Sequence, residues 1–472
     1  MLIERSNKME QIKFGTDGWR GIISDNFTFS NVKLVAEAIA SYYKEKTKPP
    51  YRIVIGYDTR FLSSTYARIV AEVLSSRGIE VFISNRFVPT PALSFITRQN
   101  KFSCGIMITA SHNPQEYNGI KIKTKEGGAA PPQVTSEIEK RLNKKIPAQY
   151  KTKPAAINMF DFIPDYIRFL RNYIDLKRLK NKRYKVLVDA MYGSGNGFIK
   201  EVLKDTEIEL DFIRNEINPS FGGFRPEPVL ENLLPSIQRL KEKKYDLGIV
   251  LDGDADRIAA FLGDANFIHP QKILGLLLLH LVRNRKLKGS VVKTIVGTNL
   301  IDKITKKLNL KLYETPVGFK YISEIMQKED VLIGGEEAGG IGFKGYIPER
   351  DGSLAGLLLI EMMAYENKPM AEILKEMEEE FGRYFYTRQD IKLEKSISPK
   401  LYQDFKNIKS ILGKKVVEVK DYDGIKLICE DESWVMARLS GTEPLIRFYA
   451  EAQDQDKAHN LIKFAKKCFM IS

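Results

Sequence analysis

The sequence predicts an α/β protein: three related α/β/α units with mixed sheets, then a smaller C-terminal α+β unit, set around a central cleft. Three observations lead there. Apolar runs of strand length alternate with stretches of helical periodicity over most of the chain, the pattern of sheets covered by helices. In each of the first three units an apolar run feeds directly into a polar loop: Thr109–Pro114, Asp252–Arg257 and Gly334–Gly340. After Gly382 the alternation gives way to short β-like segments. A chain of 472 residues accommodates three or four domains of roughly 100–200 residues each. The expected boundaries are 1–150, 151–262, 263–381 and 382–472.

The first unit opens on Phe14-Gly15-Thr16-Asp17-Gly18-Trp19-Arg20-Gly21, a glycine-punctuated loop ending in an arginine. Val32, Val35, Ala36, Ile39 and Tyr42 recur at helical spacing, so Asn31–Tyr43 is expected to be a helix. Arg52–Tyr57 reads as a strand, Ser64–Arg77 as a helix and Ile79–Ser84 as a strand. Thr90-Pro91 starts a short helix before the apolar strand Cys104–Ile108, and Pro114 and Asn118-Gly119 mark turns. A helix over Val134–Lys144 leads into a polar, Lys-rich linker near residue 150.

In the second unit a helix is expected from Met159 to Ile174, then strand Tyr184–Asp189 and the glycine-rich turn Tyr192–Gly197 with a helix to Leu203. That turn lacks a Walker lysine and does not fit GxGxxG, so it reads as a tight strand–helix connection rather than a nucleotide loop. Strand Ile208–Arg214, helix Leu230–Lys244 and strand Leu247–Leu251 complete the unit. The third has a helix from Ile273, strand Val291–Val296, helix Leu300–Leu308, strand Lys311–Glu314, a loop at Thr315–Lys320, a helix and strand Val331–Ile333. Helices Ser353–Tyr365 and Met370–Phe381 follow. The last unit has β segments at Phe385–Leu393, Val416–Val419 and Ile425–Glu430, a loop at Arg438–Arg447, strand Phe448–Ala452 and a terminal helix.

Composition excludes several classes. Cys104, Cys429 and Cys468 lie far apart, and the four histidines lack ligand spacing; neither a disulfide framework nor a thiolate zinc site fits. Any metal should be a hard cation held by carboxylates. The net charge of +14 comes from lysines scattered among glutamates, with no basic stripe interleaved with aromatics, so no nucleic-acid partner is expected. The longest apolar run, Ile273–Val282, has ten residues, against about 20 for a membrane span. The chain reads as soluble and cytoplasmic, without a membrane partner, and with monomer and homodimer both open.

The loops carry the chemistry. Ser111 is a hydroxyl on a strand-end loop, where open α/β sheets bind ligands. Asp252, Asp254 and Asp256 occupy alternate positions of a glycine-containing loop. Three repelling carboxylates suit Mg2+, with positions left for a phosphoryl oxygen or water, and a solvated acidic turn is the plain alternative. Arg257 follows at once. Arg438-Leu439-Ser440-Gly441-Thr442-Glu443-Pro444 with Arg447 has the guanidinium groups, hydroxyls and glycine-freed amides of an anion cradle; a hairpin turn with solvent-facing arginines is the other reading. Glu336 and Glu337, among glycines, can accept hydrogen bonds from sugar hydroxyls. Lys121 and Arg20 are either phosphate or proton-transfer groups or exposed cations, and His112 is either a proton shuttle or a loop-bonding histidine.

Taken in order and spacing, Thr109–Pro114, Asp252–Arg257, Gly335–Gly340 and Arg438–Pro444 resemble the α-D-phosphohexomutase family. Phe14–Gly21 and Gly56–Arg60 look like its N-terminal signatures. The resemblance implies a phosphoserine at Ser111 that binds Mg2+ together with Asp252, Asp254 and Asp256. Lys121 and Arg20 would assist proton transfer and charge stabilisation. Glu336 and Ala338, in the glutamate loop, with Gly318 and Phe319 would face the sugar. Arg438, Ser440, Gly441, Thr442 and Arg447 would hold the non-reacting phosphate, and Lys293 would also face the cleft. The implied reaction interconverts hexose 1-phosphate and hexose 6-phosphate of glucose or mannose through a hexose 1,6-bisphosphate. The alternatives are a phosphoglucosamine mutase and a metal-dependent sugar phosphatase. Many members have serine and glycine-histidine after the glutamates, where this chain has Ala338, Gly339 and Gly340.

Overall fold

Cys104–Ile108 is five small or apolar residues, all buried, as a central strand covered on both faces must be. It pairs in parallel with Arg52–Tyr57 and antiparallel with Tyr117–Thr124, its immediate continuation. The computed structural model describes residues 12–15, 18–142, 153–393, 397–439 and 445–470. Its first sheet runs in the order Trp19–Ile22, Tyr117–Thr124, Cys104–Ile108, Arg52–Tyr57, Glu80–Ser84, Ile157–Phe160.

The same local plan recurs twice. In the second sheet Leu247–Leu251 pairs in parallel with Lys185–Asp189 and antiparallel with its own continuation, Ile258–Leu262. In the third, Val331–Gly335 pairs in parallel with Ser290–Thr294 and antiparallel with Ile341–Phe343. Each time, a buried parallel strand ends in a polar loop and the chain returns beside it. The three expected units thus share a topology, and the mixed sheets follow from that return strand. The fourth unit is an antiparallel sheet, Phe385–Lys392, Leu445–Ala452, Trp434–Leu439, Ile425–Cys429, Lys414–Lys420 and Ser410–Ile411, backed by helices Pro399–Lys406 and Gln455–Cys468.

Helix Gly352–Glu366 is apolar on every side and buried from Gly352 to Ala364, the character of a helix surrounded by protein. It packs on both Leu247–Leu251 and Ile258–Leu262. Asp351 caps it, accepting from the Leu354 amide at 2.9 Å and from the Tyr166 hydroxyl at 2.8 Å.

Four expectations need correcting. No helix starts at Met159: Ile157–Phe160 is a strand parallel to Glu80–Ser84, and the helix spans Ile163–Tyr173. Asn118-Gly119 is not a turn but the start of strand Tyr117–Thr124, with the Asn118 amide donating to Ser63 Oγ at 2.9 Å. Helix Leu230–Lys244 divides into a short 3-10 turn, Leu230–Asn232, and helix Leu234–Glu242, whose first turn holds Pro235. Arg438 and Arg447 lie within strands Trp434–Leu439 and Leu445–Ala452 instead of in one long loop; residues 440–444, with Ser440, Gly441 and Thr442, fall outside the described residues.

Strand Tyr117–Thr124 also ties the units together. Lys123 is buried, and its ammonium meets Glu349 Oε2 of the third unit at 2.6 Å, both side chains being 0% exposed. Removing one partner leaves the other charge buried alone, a loss of about 3–5 kcal/mol. We expect Lys123→Met to lower the unfolding free energy by that order in denaturant titration, and Lys123→Met with Glu349→Leu to recover most of it.

Candidate active site

The loop bearing Ser111 is shaped by a buried arginine. Arg60 donates to the carbonyls of Ser111 (2.6 Å), Asn113 (2.6 Å), Pro114 (2.7 Å) and Tyr117 (3.0 Å). Asp58 lies 3.3 Å from its Nε and aligns it. Ser111 itself has φ +52°, a left-handed conformation that costs a non-glycine residue about 1–3 kcal/mol. The adjoining metal-type loop comes so close that a Cβ on Gly253 would lie 2.5 Å from the Ser111 carbonyl. Glycine is therefore required there by space.

Asp252, Asp254 and Asp256 are all buried at 0% exposure, and one carboxylate oxygen from each falls within 4.8 Å of the others. Ser111 Oγ donates to Asp252 Oδ2 at 3.2 Å. Lys121, on the return strand of the first sheet, bridges Asp254 Oδ2 at 2.8 Å and Asp256 Oδ2 at 3.0 Å. Thr90 Oγ1 also donates to Asp254 Oδ2, and Arg350 Nη2 donates to Asp256 Oδ2 at 2.6 Å. The Oδ1 atoms of Asp254 and Asp256 are buried without a hydrogen-bond partner. Buried acceptors without a donor are costly, and a hard divalent cation would satisfy them. The donor set therefore fits Mg2+.

Electrostatics agree with this asymmetry. Burial, then the charges of Asp256 and Asp254, push the Asp252 carboxyl well above the usual carboxylate range. Burial also opposes charge on Asp254, but the Lys121 ammonium and the hydrogen bonds from Lys121 and Thr90 outweigh it and hold that carboxyl low. His112, with Nδ1 3.4 Å from Ser111 Oγ, is kept neutral by burial and by Arg257, Arg20, Arg225 and Lys121 around it.

The remaining residues fall into place around this centre. Arg20 Nη1 donates to Asn113 Oδ1 at 2.6 Å. Arg257 donates its amide to Asp252 Oδ1 at 3.0 Å and forms an antiparallel bridge with Gly340, joining the metal-type loop to the glutamate loop. Glu336 is 7% exposed and accepts from Arg350 Nη1 at 2.9 Å; Glu337 accepts from Thr294 at 3.2 Å. Ala338 sits in the turn between strands Val331–Gly335 and Ile341–Phe343.

In the fourth unit Arg438 and Arg447 are directly opposed across two antiparallel strands, an arrangement that repels unless anions lie between or beside the pair. Asp423 accepts from Arg438 at 2.9 Å and Asp390 from Arg447 at 3.2 Å. The charge of Glu337 also stabilises Arg438, so this pair and the glutamate loop share one electrostatic environment.

Two residues expected at the cleft have the following surroundings. The Lys293 ammonium is buried against Asp302, 3.3 Å from the Thr298 carbonyl and 3.8 Å from Glu314. It is committed to the seam between the third and fourth units, where Lys426 donates to the Ile295 carbonyl. Phe319 is 3% exposed in a cluster with Val292, Ile322 and Val331, and the Arg350 guanidinium lies 5.4 Å above its ring centre. It belongs to the core beneath the loop, and Gly318, at φ +128°, begins its helix. Sequence reasoning gave no role to Thr90 or Arg350 and named Arg60 only within the Gly56–Arg60 signature. For Arg350 the signal was three charged residues, Glu349-Arg350-Asp351, directly before an apolar helix.

Because four carbonyls depend on one side chain, Arg60→Met should release the loop. We expect amide hydrogen exchange over residues 111–117 to quicken at least about tenfold by mass spectrometry, with exchange in helix Gln455–Cys468 unchanged.

Known proteins match this architecture unit by unit. The family descriptions for phosphoglucomutase/phosphomannomutase α/β/α domains I, II and III match residues 11–149, 164–265 and 269–381, and that for the C-terminal domain matches residues 390–466. A phosphoglucosamine/phosphogalactosamine mutase of Sulfurisphaera tokodaii is 30% identical over 462 residues, covering 96% of this chain and 98% of the relative. A phosphoglucomutase/phosphomannomutase of Thermococcus kodakarensis is 29% identical over 456 residues, 96% of this chain and 97% of its own. The crystal structure of a putative phosphomannomutase from Thermus thermophilus superposes with a TM-score of 0.86 at 35% identity, over 97% of this chain and 98% of that one. With a match running nearly end to end and all four units recognised in order, the chain belongs to the α-D-phosphohexomutase family.

Proposed function

We propose that the chain interconverts the 1- and 6-phosphates of neutral hexoses, glucose or mannose, through a phosphoserine at Ser111 and a hexose 1,6-bisphosphate. The observation that carries this reading is the Ser111 hydroxyl, held at positive φ, 3.2 Å from one aspartate of a triad whose other two members each keep a buried oxygen without a hydrogen-bond partner. A hydroxyl so placed can bear a phosphoryl group against a cation site.

Asp252, Asp254 and Asp256 would hold Mg2+, which when bound draws charge from the phosphoryl oxygens. A sugar hydroxyl oxygen attacks phosphorus and gives its proton to His112, the bond from phosphorus to Ser111 Oγ breaks and that oxygen takes the proton from His112, and the bisphosphate turns to return its other phosphate by the reverse steps. Lys121, paired to two carboxylates, and Arg20 and Arg257 supply positive charge to a transition state whose charge spreads over the phosphoryl oxygens. His112, neutral beside Ser111 Oγ, takes and returns the proton at that oxygen. Glu336 accepts hydrogen bonds from the sugar. The opposed Arg438 and Arg447, with Ser440, Gly441 and Thr442, grip the non-reacting phosphate, so that either end of the bisphosphate faces Ser111 in turn.

Relatives bear both kinds of name, glucosamine and glucose or mannose, so the choice of sugar rests on the charge of the site. A phosphoglucosamine mutase is the second reading. A phosphatase differs from both by releasing inorganic phosphate.

Intact-mass measurement should find one phosphate on the purified protein and none on Ser111→Ala; rapid loss of phosphate from the wild type without isomer product would instead mark a phosphatase. Asp254→Asn should reduce turnover by at least about a hundredfold in a coupled assay with Mg2+, with the thermal midpoint kept. Arg438→Ala should raise KM for glucose 1-phosphate while kcat changes little, and an unchanged KM would remove the cradle from the mechanism.

A further inference from the structure

We infer that Arg350 is a specificity-determining positioning residue: it braces Glu336 against Asp256 and balances the charge of the sugar loop so that neutral hexoses are favoured over 2-amino hexoses. The inference rests on the mutase reading above.

The space comes first. A Cβ at Gly340 would lie 2.1 Å from Arg350 Cδ, 2.9 Å from its Cγ and 2.8 Å from Glu336 Oε2. Gly340 does not have a left-handed φ, so glycine stands there for room and not for backbone conformation. No side chain at position 340 is compatible with Arg350 where it lies. The methylene stem of Arg350 takes the volume that a side chain at position 340 would fill.

The contacts come next. Arg350 is 5% exposed. Its Nη1 meets Glu336 Oε2 at 2.9 Å and its Nη2 meets Asp256 Oδ2 at 2.6 Å, so a single planar group spans the glutamate loop and the metal-type loop. Planarity fixes the separation of the two carboxylates. Below it lies the ring of Phe319. Behind it, Glu349 accepts from the Arg350 amide at 3.0 Å and is clamped by Lys123 at 2.6 Å. The brace is anchored in the first unit as well as the third.

Charge then selects the sugar. A hydroxyl needs only a lone pair from Glu336. The ammonium of a 2-amino hexose gains most from a carboxylate without a cation, yet Glu336 is already matched by Arg350 and influenced by Arg257. An added cation at Glu336 therefore meets the guanidinium groups of Arg350 and Arg257 as well as the neighbouring Glu337 carboxylate, and the two guanidinium groups repel it in a buried site.

The test compares wild type, Arg350→Gln, Arg350→Lys and Gly340→Ala on glucose 1-phosphate and glucosamine 1-phosphate. Steady-state kinetics are run with Mg2+, calorimetric titration of the two sugar phosphates without metal, and a thermal midpoint is taken for each variant. Wild type should favour glucose. Arg350→Gln should raise KM for glucose 1-phosphate about tenfold and shift both the kcat/KM ratio and the affinity ratio about tenfold toward glucosamine. Arg350→Lys, which keeps the charge, should hold the ratio nearer wild type. Gly340→Ala displaces the guanidinium without deleting it and should reproduce the KM effect, but add little on top of Arg350→Gln. An unchanged sugar ratio in Arg350→Gln, or full additivity of Gly340→Ala, overturns the assignment. A wild type that turns over glucosamine 1-phosphate in preference overturns the neutral-hexose assignment while leaving the mutase reading in place. A wild type that converts neither sugar overturns the mutase reading and, with it, this inference.

Discussion

Three aspartates within the five residues Asp252–Asp256 are buried together, and in a low-dielectric setting their repulsion would expel the loop from the interior unless cations held it there. Among the described residues, the second unit provides the adjacent Arg257 amide and guanidinium. Other groups arrive from outside: Ser111, Lys121 and Thr90 from the first unit, and Arg350 from the third. The seams between units are therefore electrostatic necessities of one loop. Their geometry also leaves one oxygen of Asp254 and one of Asp256 buried without a hydrogen-bond partner, an arrangement that a hard cation would satisfy.

The candidate site is built by repetition. Three times a buried parallel strand ends in a polar loop, and three times the chain returns antiparallel beside that strand. A loop pinned at both ends by neighbouring strands of one sheet has little freedom, so serine, aspartates and glutamate are carried as rigid fixtures of their sheets. Arg257 and Gly340 bridge two such loops directly. The fourth unit follows another plan: its arginines sit opposite one another on adjacent strands, and each is partly neutralised by an aspartate of its own unit.

Much of this was legible in the sequence where local signals and tertiary context agree. The strands Arg52–Tyr57, Cys104–Ile108 and Leu247–Leu251 are built on short apolar runs and were bounded to the residue. Alternate aspartates repel one another and gain little as a surface turn, and the triad was singled out on that ground over a solvated acidic turn. The return strand Tyr117–Thr124 was hidden because Asn118-Gly119 reads as a turn and Ile120-Lys121-Ile122-Lys123 reads as a strand with a wet face; nothing local says that both lysines are buried. Ile157–Phe160 was lost because its partner lies more than seventy residues earlier in the chain. Arg350 was overlooked because its importance depends on the absence of a side chain at Gly340. For Lys293 and Phe319 the sequence did not show the surroundings of the side chain, because a position on a strand or at a helix start does not say which way the side chain turns.

Lys121 and Lys123 stand two residues apart on one strand, with their carboxylate partners in two other units. A slip of one residue in the pairing of Tyr117–Thr124 with Cys104–Ile108 would turn both ammonium groups to the opposite face and put Ile120 and Ile122 against the aspartates. Such a slipped sheet would strand carboxylates in two units at once, so the error would be felt far from where it occurred. The first sheet thus has its alignment proofread by its neighbours, and docking of the units serves as the check on whether the strand was laid down correctly.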